Sequence, residues 1–231
     1  MILWLRSALF LLWFVLITTV LSLIFLPVLA LPRGATVWLA RLWSRITFWG
    51  LKVFSGIGFE VRGIPPKGAV LVASKHMSMW DTLALYLVLD APAIVLKREL
   101  LRIPFYGWFL WKATAIPIDR SAGASALRKM SSAARDVLNQ GRPILIFPEG
   151  TRKKPGAAPD YKPGVARLYT LLGVDCVPVA LNSGAYWTGF LKRPGTIVLE
   201  FLEPIAPGLK RDAFMGLLEA RIESATNRLL S

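Results

Sequence analysis

His76 and Asp81 have the residue types and spacing of a general-base pair. His76 is the single histidine of the chain, and it follows the apolar segment Ala69–Ser74, which is predicted to form a strand. Asp81 begins the predicted helix Asp81–Leu89, so the two side chains can meet if His76 lies in the connecting turn. An aspartate bonded to one imidazole nitrogen fixes the tautomer and leaves the other nitrogen free to accept a hydroxyl proton. By itself the pair is a weak signal, and a structural histidine is the alternative.

A second group of polar residues follows other predicted strands. Glu149 and Arg152 come directly after the apolar segment Pro143–Phe147. Arg120 likewise follows the segment Ala113–Ile118. Open α/β sheets bind ligands at the carboxyl ends of their strands, and a planar guanidinium binds phosphate through two hydrogen bonds. These residues are therefore candidates for an anion site, with solvated surface side chains as the alternative interpretation.

Short apolar segments alternate with helical patterns through most of the chain, and this alternation predicts the elements that position these residues. Four helices are predicted, at Asp81–Leu89, Ser125–Asn139, Gly164–Leu172 and Arg211–Leu230. Six strands are predicted, at Ala69–Ser74, Ala93–Leu96, Ala113–Ile118, Pro143–Phe147, Cys176–Leu181 and Thr196–Leu202. The fold class is therefore α/β, with a mostly parallel central sheet flanked by helices, and we assign this domain to residues 59–231.

The N-terminal residues 1–58 are predicted to be membrane-anchoring and interfacial helices. The segment Ser7–Pro32 has no charged residue over 26 positions, and a helix over Ser7–Leu26 would be about 30 Å long, the thickness of a bilayer core. A retained anchor is favoured over a signal peptide, whose apolar region is shorter. The segment Arg33–Phe59 mixes tryptophan with arginine at helical spacing, which is typical of an interfacial helix, with a core helix as the alternative.

The composition points to a membrane surface. The chain has 28 basic and 14 acidic residues, a net charge of +14, yet 55% of its 231 residues are hydrophobic. This combination favours anionic lipid over nucleic acid as the partner, and no nucleic-acid-binding module is recognisable. With one histidine and one cysteine, a Cys/His zinc site is excluded, and we expect Cys176 to lie in the core. Arg6 is the only basic residue before Pro32, so the positive-inside rule predicts that the domain is cytoplasmic.

Four blocks in order resemble the glycerolipid acyltransferases. They are the His-x4-Asp pair His76 and Asp81, then Ile118–Arg120, Phe147–Arg152, and Val177–Pro178. The likeness is greatest to the bacterial type of 1-acyl-sn-glycerol-3-phosphate (lysophosphatidic acid) acyltransferases, and it covers roughly Pro65–Glu203.

The resemblance implies the chemistry and the site residues. His76 would be the general base and Asp81 its orienting carboxylate; the acceptor hydroxyl would attack the acyl thioester directly, without a covalent enzyme intermediate. The product would be phosphatidic acid, and the donor acyl-CoA or acyl carrier protein, with no metal and no other cofactor. The residues implied to bind the acceptor and its phosphate are Lys97, Arg120, Glu149, Gly150, Thr151 and Arg152, with Arg98 or Lys112 as alternatives to Lys97.

The implied partners are a lysophospholipid, an acyl thioester, membrane lipids and acyl carrier protein, and the implied location is the cytoplasmic side of the bacterial inner membrane. Three departures leave the acceptor and the donor open: Lys75 stands where asparagine is common in the family, Met77 stands where glutamine is common, and Lys153 and Lys154 follow the Arg152 block. One alternative is therefore acylation of another lysolipid, such as a lyso-ornithine lipid. A second is a non-catalytic membrane protein that binds anionic lipid.

Overall fold

The computed structural model describes residues 1–118 and 123–231, except for the side chains of Tyr106, Lys129 and residues 123–127. Within these residues the central sheet has seven strands in the order β1-β9-β6-β2-β5-β3-β4, and a separate hairpin joins β7 and β8. The strands are β1 (Ile57–Arg62), β2 (Leu71–Ser74), β3 (Ala93–Lys97), β4 (Ile116–Ile118), β5 (Ile144–Ile146), β6 (Cys176–Leu181), β7 (Trp187–Thr188), β8 (Leu191–Lys192) and β9 (Gly195–Phe201).

The sheet is parallel except at one pair of neighbours, β6 and β9, which are antiparallel. As a result β6, β2, β5, β3 and β4 all end at the same edge of the sheet, which we call the carboxyl edge. This arrangement confirms the predicted α/β class with a mostly parallel sheet. It also places the ends of the strands that precede His76 and Phe147 next to one another, because β2 pairs directly with β5.

Helices cover both faces of the sheet. They are α1 (Ile2–Ile24), α2 (Arg33–Gly50), α3 (Trp80–Val88), α4 (Tyr106–Lys112), α5 (Gly123–Asn139), α6 (Gly164–Leu172), α7 (Ser183–Tyr186) and α8 (Arg211–Leu230), with short 3-10 turns at Leu26–Ala30 and Arg98–Arg102 and a π turn at Leu51–Ser55. Side chains alternate along each strand. Val72 therefore packs with the core under α2 and α3, whereas Leu71 and Ala73 pack with the core under α5, α6 and α8.

Helices α1 and α2 form a hairpin that is docked on the sheet domain. Trp43 Nε1 donates to Thr18 Oγ1 at 3.0 Å between the two helices, and Arg6 Nε donates to the carbonyl of Phe54 at 2.8 Å. The backbone N–H of Lys192 on β8 donates to Ser7 Oγ at 2.9 Å, which ties the start of α1 to the β7–β8 hairpin. The predicted division of the chain into residues 1–58 and 59–231 stays a prediction.

The structure corrects two predicted elements. The helix expected over Arg33–Phe59 ends at Gly50 and passes through the π turn into β1, because Gly56 adopts a left-handed conformation (φ +68°) that closes the turn. A β-carbon there would also lie 2.8 Å from Arg6 Nη2. The strand expected over Ala113–Ile118 is shortened to β4, since Thr114 has a positive φ of 60° and forms a turn after α4.

Large apolar side chains are exposed on both α1 and α4. Helix α1 is the one helix among the described residues that is long and apolar enough to cross a bilayer, and only 17% of its most apolar stretch is buried. Trp108 and Trp111 on α4 are 48% and 71% exposed. These exposed side chains are consistent with membrane association.

Membrane association of this kind should resist high salt. We expect the full chain to stay with membranes in a high-salt wash, because screening weakens exposed charge contacts but does not release buried apolar surface. Leu12 and Leu16 are 67% and 54% exposed on α1. Replacing both by lysine should release the chain, because each charge placed in lipid costs about 2.5–3.5 kcal/mol. Sedimentation of membranes measures both effects.

The matched control is Leu209→Lys, at an exposed leucine preceding α8. It should leave the sedimented fraction unchanged. Release of the wild-type chain by salt alone would contradict the apolar attachment and show a peripheral, electrostatic one.

Candidate active site

The carboxylate of Asp81 is the centre of the candidate site. Asp81 lies in the first turn of α3 and its side chain is fully buried. Its Oδ2 accepts the backbone N–H groups of Met77 at 2.7 Å and Ser78 at 2.9 Å. The turn between β2 and α3 is therefore wrapped around this one oxygen, which also lies 3.0 Å from His76 Nδ1.

The second oxygen of Asp81 binds two hydroxyl groups. Oδ1 accepts from Ser78 Oγ at 3.1 Å and from Ser183 Oγ, and Ser183 begins α7 directly beyond β6. Burying a carboxylate is costly unless hydrogen bonds replace its water. Both oxygens of Asp81 have such donors, so the carboxylate is held in a fixed orientation.

His76 is oriented to accept a proton. A carboxylate is an acceptor only, so the bond to Asp81 places the hydrogen of His76 on Nδ1 and leaves a lone pair on Nε2. The His76 ring stacks on Phe147 with 3.9 Å between centroids and an angle of 21°, and its side chain is 12% exposed. The imidazole is thus fixed on one edge and one face, and Nε2 is the nitrogen available to a substrate hydroxyl.

The loop after β5 meets the turn after β2 at the carboxyl edge. The N–H of Lys153 donates to the carbonyl of His76 at 2.9 Å, which joins the two segments directly. Gly150 adopts a left-handed conformation (φ +62°) and closes a turn with Phe147. Thr151 and Arg152 are exposed beyond that turn. The structure therefore brings the Arg152 loop and His76 together, as the sequence predicted.

The predicted phosphate-binding residues Lys97 and Arg120 differ in whether the structure describes their position. Lys97 is exposed at the end of β3, which is separated from β2 by β5 alone, so it lies on the same carboxyl edge as His76. Arg120 lies outside the described residues.

Glu149 is buried, and the acceptor-binding role that the resemblance implies for it stays a prediction. Its side chain is 1% exposed and forms an ion pair of 2.9 Å with Lys75, which is 2% exposed. Lys75 Nζ also binds Glu223 Oε1 on α8 at 2.7 Å, and Tyr161 donates to the same Glu223 oxygen. Burial raises the pKa of Glu149, and the hydrogen bond from Lys75 opposes that rise. The carboxylate turns inward because Lys75 supplies the buried countercharge that it requires.

Comparison with known proteins identifies the family of this chain. The model of the family described as Acyltransferase matches residues 58–182, more than half of the chain. The chain belongs to the acyltransferase family. The resemblance seen in the sequence is therefore confirmed.

Several acyltransferases are similar to this chain. A 1-acyl-sn-glycerol-3-phosphate acyltransferase of Pseudomonas aeruginosa is 40% identical over 67% of this chain, and the match spans 62% of that relative's length. The alpha form of that enzyme from Ovis aries is 33% identical over 82% of this chain and 70% of its own length. The crystal structure of the 1-acyl-sn-glycerophosphate acyltransferase of Thermotoga maritima has the same fold, with a TM-score of 0.79 over 97% of this chain and 96% of its own, at 22% identity.

Sequence reasoning missed several residues that position the candidate site. Ser183 lies about a hundred residues from Asp81 in sequence, and a lone serine after a strand carries no pattern that would mark it. The sequence marks Lys75 only as a departure from the family pattern and does not mark Glu223 at all, and the fold shows that they share an ionic cluster with Glu149. The sequence predicts Phe147 only as the end of a buried strand, whereas in the structure its ring stacks on the imidazole of His76.

The Lys75 ion pair should have a large effect on stability. Lys75→Met would leave Glu149 buried without its countercharge, at a cost of about 3–5 kcal/mol in the free energy of unfolding. Burial already raises the pKa of Glu149 above its ordinary value of 4.5, and losing Lys75 removes the interaction that opposes this rise, so Glu149 takes up a proton more readily in the folded chain than in the unfolded one. The deficit should therefore shrink as the pH falls toward and below that raised pKa. Urea unfolding at several pH values measures this.

The matched control is Lys162→Met, which removes a lysine paired with the exposed Asp160. It should change the unfolding free energy little. In the Lys75→Met chain, adding Glu149→Gln should restore part of the loss, since it removes the unpaired charge. Equal effects of the two lysine substitutions would contradict a buried ionic cluster.

Proposed function

We propose that this chain transfers a fatty acyl group from an acyl thioester to the free hydroxyl of 1-acyl-glycerol-3-phosphate and so makes phosphatidic acid. The observation that carries the proposal is the His76–Asp81 pair, in which a fully buried carboxylate fixes the imidazole beside an exposed arginine loop. The names of the similar acyltransferases support the choice of acceptor.

The reaction follows from the free lone pair of His76 Nε2. This nitrogen takes the proton of the acceptor hydroxyl as the oxygen attacks the thioester carbonyl carbon. The C–S bond then breaks, the new C–O ester bond remains, and the leaving thiolate takes the proton back from the imidazolium. Asp81 stays ionised throughout and stabilises the imidazolium. No covalent enzyme intermediate is needed.

The acceptor phosphate is proposed to bind at the carboxyl edge. The exposed Arg152 guanidinium suits a phosphate because two parallel hydrogen bonds match its planar fork. The turn at Gly150 and Thr151 holds that arginine, and Lys97 lies on the same edge. Arg120, which follows β4 in sequence, is proposed to reach the same phosphate. The ion pair between Glu149 and Lys75 is proposed to position the loop that carries Arg152.

The donor and the location are part of the proposal. Acyl-CoA or acyl carrier protein supplies the activated acyl group, and the reaction needs no metal and no other cofactor. The domain is proposed to lie on the cytoplasmic side of the bacterial inner membrane, with basic residues following the apolar segment that starts the chain. The apolar side chains exposed on α1 and α4 would leave the acyl chains of the acceptor in lipid.

Acyl transfer in membranes tests the proposal. Wild-type membranes given labelled acyl thioester should acylate lysophosphatidate in preference to other lysolipids, including a lyso-ornithine lipid. His76→Ala should lower the rate by about 10²–10⁴-fold because the general base is lost. Asp81→Asn should also lower it, since an amide can hold the wrong tautomer of His76.

Preference for another lysolipid would overturn the acceptor assignment and keep the mechanism. Full activity of His76→Ala would overturn the mechanism. Absence of transfer by a folded wild-type chain with both donor types would favour the non-catalytic lipid-binding protein.

Arg152 should contribute to binding of the acceptor and not to binding of the acyl donor. Arg152→Ala is expected to raise the KM for lysophosphatidate by about 10–100-fold, the value of hydrogen bonds to a charged group. Arg152→Lys should restore only part of this, because an ammonium cannot form the paired contact. Arg167→Ala, at an exposed arginine on α6, is the control and should have no effect. A rise confined to the KM of the thioester would contradict the phosphate assignment.

A further inference from the structure

A basic cavity of about 380 Å³ lies at the start of α2, away from the candidate active site. Three arginines, Arg33, Arg41 and Arg45, line it together with Trp38 and Asp90. The arginines are spaced by eight and four residues, so they share one face of the helix. The cavity thus has three cationic side chains and one anionic one.

The cavity and the catalytic pair are at opposite ends of α3. Asp81 lies in the first turn of that helix, whereas Asp90 and Ala91 follow its last residue, Val88. A helix of nine residues is about 13 Å long. The turn at Asp90 also leads directly into the start of β3, which is the end of the sheet opposite to the carboxyl edge. The cavity is therefore not part of the acyl-transfer site.

The charges in the cavity are only partly compensated. Arg41 Nη2 donates to the carbonyl of Leu89 at 2.9 Å and to Asp90 Oδ1 at 3.2 Å. The side chain of Asp90 is 83% exposed, so this ion pair is weak. Arg41 Nε is buried and has no hydrogen-bond partner among the described residues. Arg33 donates to Gln140, a neutral acceptor. The cavity retains a net positive charge and suits an anion.

The surroundings of the cavity identify the anion as part of a lipid. Trp38 is 51% exposed at the cavity and packs against Phe25, which follows α1, with 5.8 Å between ring centroids. Leu31, two residues before Arg33, is 49% exposed. Tryptophan beside arginine is typical of the level where the headgroups of a bilayer meet its apolar core. An anionic headgroup can reach the arginines from this level while its tails stay beside Trp38.

We propose that this cavity binds the phosphate headgroup of an anionic membrane phospholipid, at a site separate from the catalytic one. Arg33, Arg41 and Arg45 bind the phosphate, and Trp38 contacts the glycerol and the upper part of the tails. The bound lipid holds α2 at the headgroup level of the membrane.

Thermal unfolding of the full chain in a non-ionic detergent tests the proposal, because a ligand that binds the folded state raises the Tm. The probes are dihexanoyl phosphatidylglycerol, dihexanoyl phosphatidylcholine and inorganic phosphate. The first should raise the Tm at concentrations where the other two do not. Arg33→Gln with Arg45→Gln should weaken that response about tenfold or more, whereas Arg167→Gln with Arg211→Gln, which removes the same charge from α6 and α8, should not.

Arg152→Ala separates the two sites, since it alters the proposed acceptor site only. A response that survives in Arg152→Ala and is lost in the Arg33 and Arg45 variant supports the cavity. The opposite pattern would overturn it, as would equal loss in the charge-matched control. An equal response to phosphatidylcholine would show non-specific lipid binding, and an equal response to inorganic phosphate would show a site for free anions; either overturns the proposal.

Discussion

A carboxylate without access to water must have its hydrogen bonds supplied by the protein, and at Asp81 this requirement organises the site. The donors come from the turn at residues 76–78 and from Ser183 beyond β6. These segments meet only in the folded sheet, so the orientation of His76 is set before any substrate binds. Preorganised groups of this kind stabilise charge that develops during a reaction without having to rearrange.

The neighbouring residues Lys75 and His76 contact different parts of the site. Side chains alternate direction as the chain leaves β2. His76 bonds to Asp81 and stacks on Phe147, whereas Lys75 binds the buried carboxylate of Glu149 and the half-buried carboxylate of Glu223. The same two-residue segment therefore supplies the imidazole of the proposed general base and the ionic contact that fixes the loop of Arg152. The apolar side chains exposed on α1 and α4 are consistent with membrane association.

The sequence predicted the elements whose patterns are strong and local. Apolar segments bounded by turns identified β2, β5 and β6. The spacing of His76 and Asp81 predicted their contact on the condition that His76 lies in the turn between β2 and α3, which it does. The inward position of Glu149 could not be predicted, because its countercharge comes from a residue 74 positions away and the pattern of charges shows no pairing. The hairpin of β7 and β8 was also missed, since its two-residue strands are too short to show any periodicity.

The tautomer of His76 tests the central claim most directly. The chain contains one histidine, so isotope labelling of histidine nitrogen in the tag-free protein gives the NMR signals of His76 alone. The neutral imidazole should carry its hydrogen on Nδ1 and leave Nε2 unprotonated, and Asp81→Asn should disturb this preference. A wild-type imidazole protonated on Nε2 would contradict the account, because the nitrogen facing the acceptor hydroxyl would then have no lone pair to take its proton.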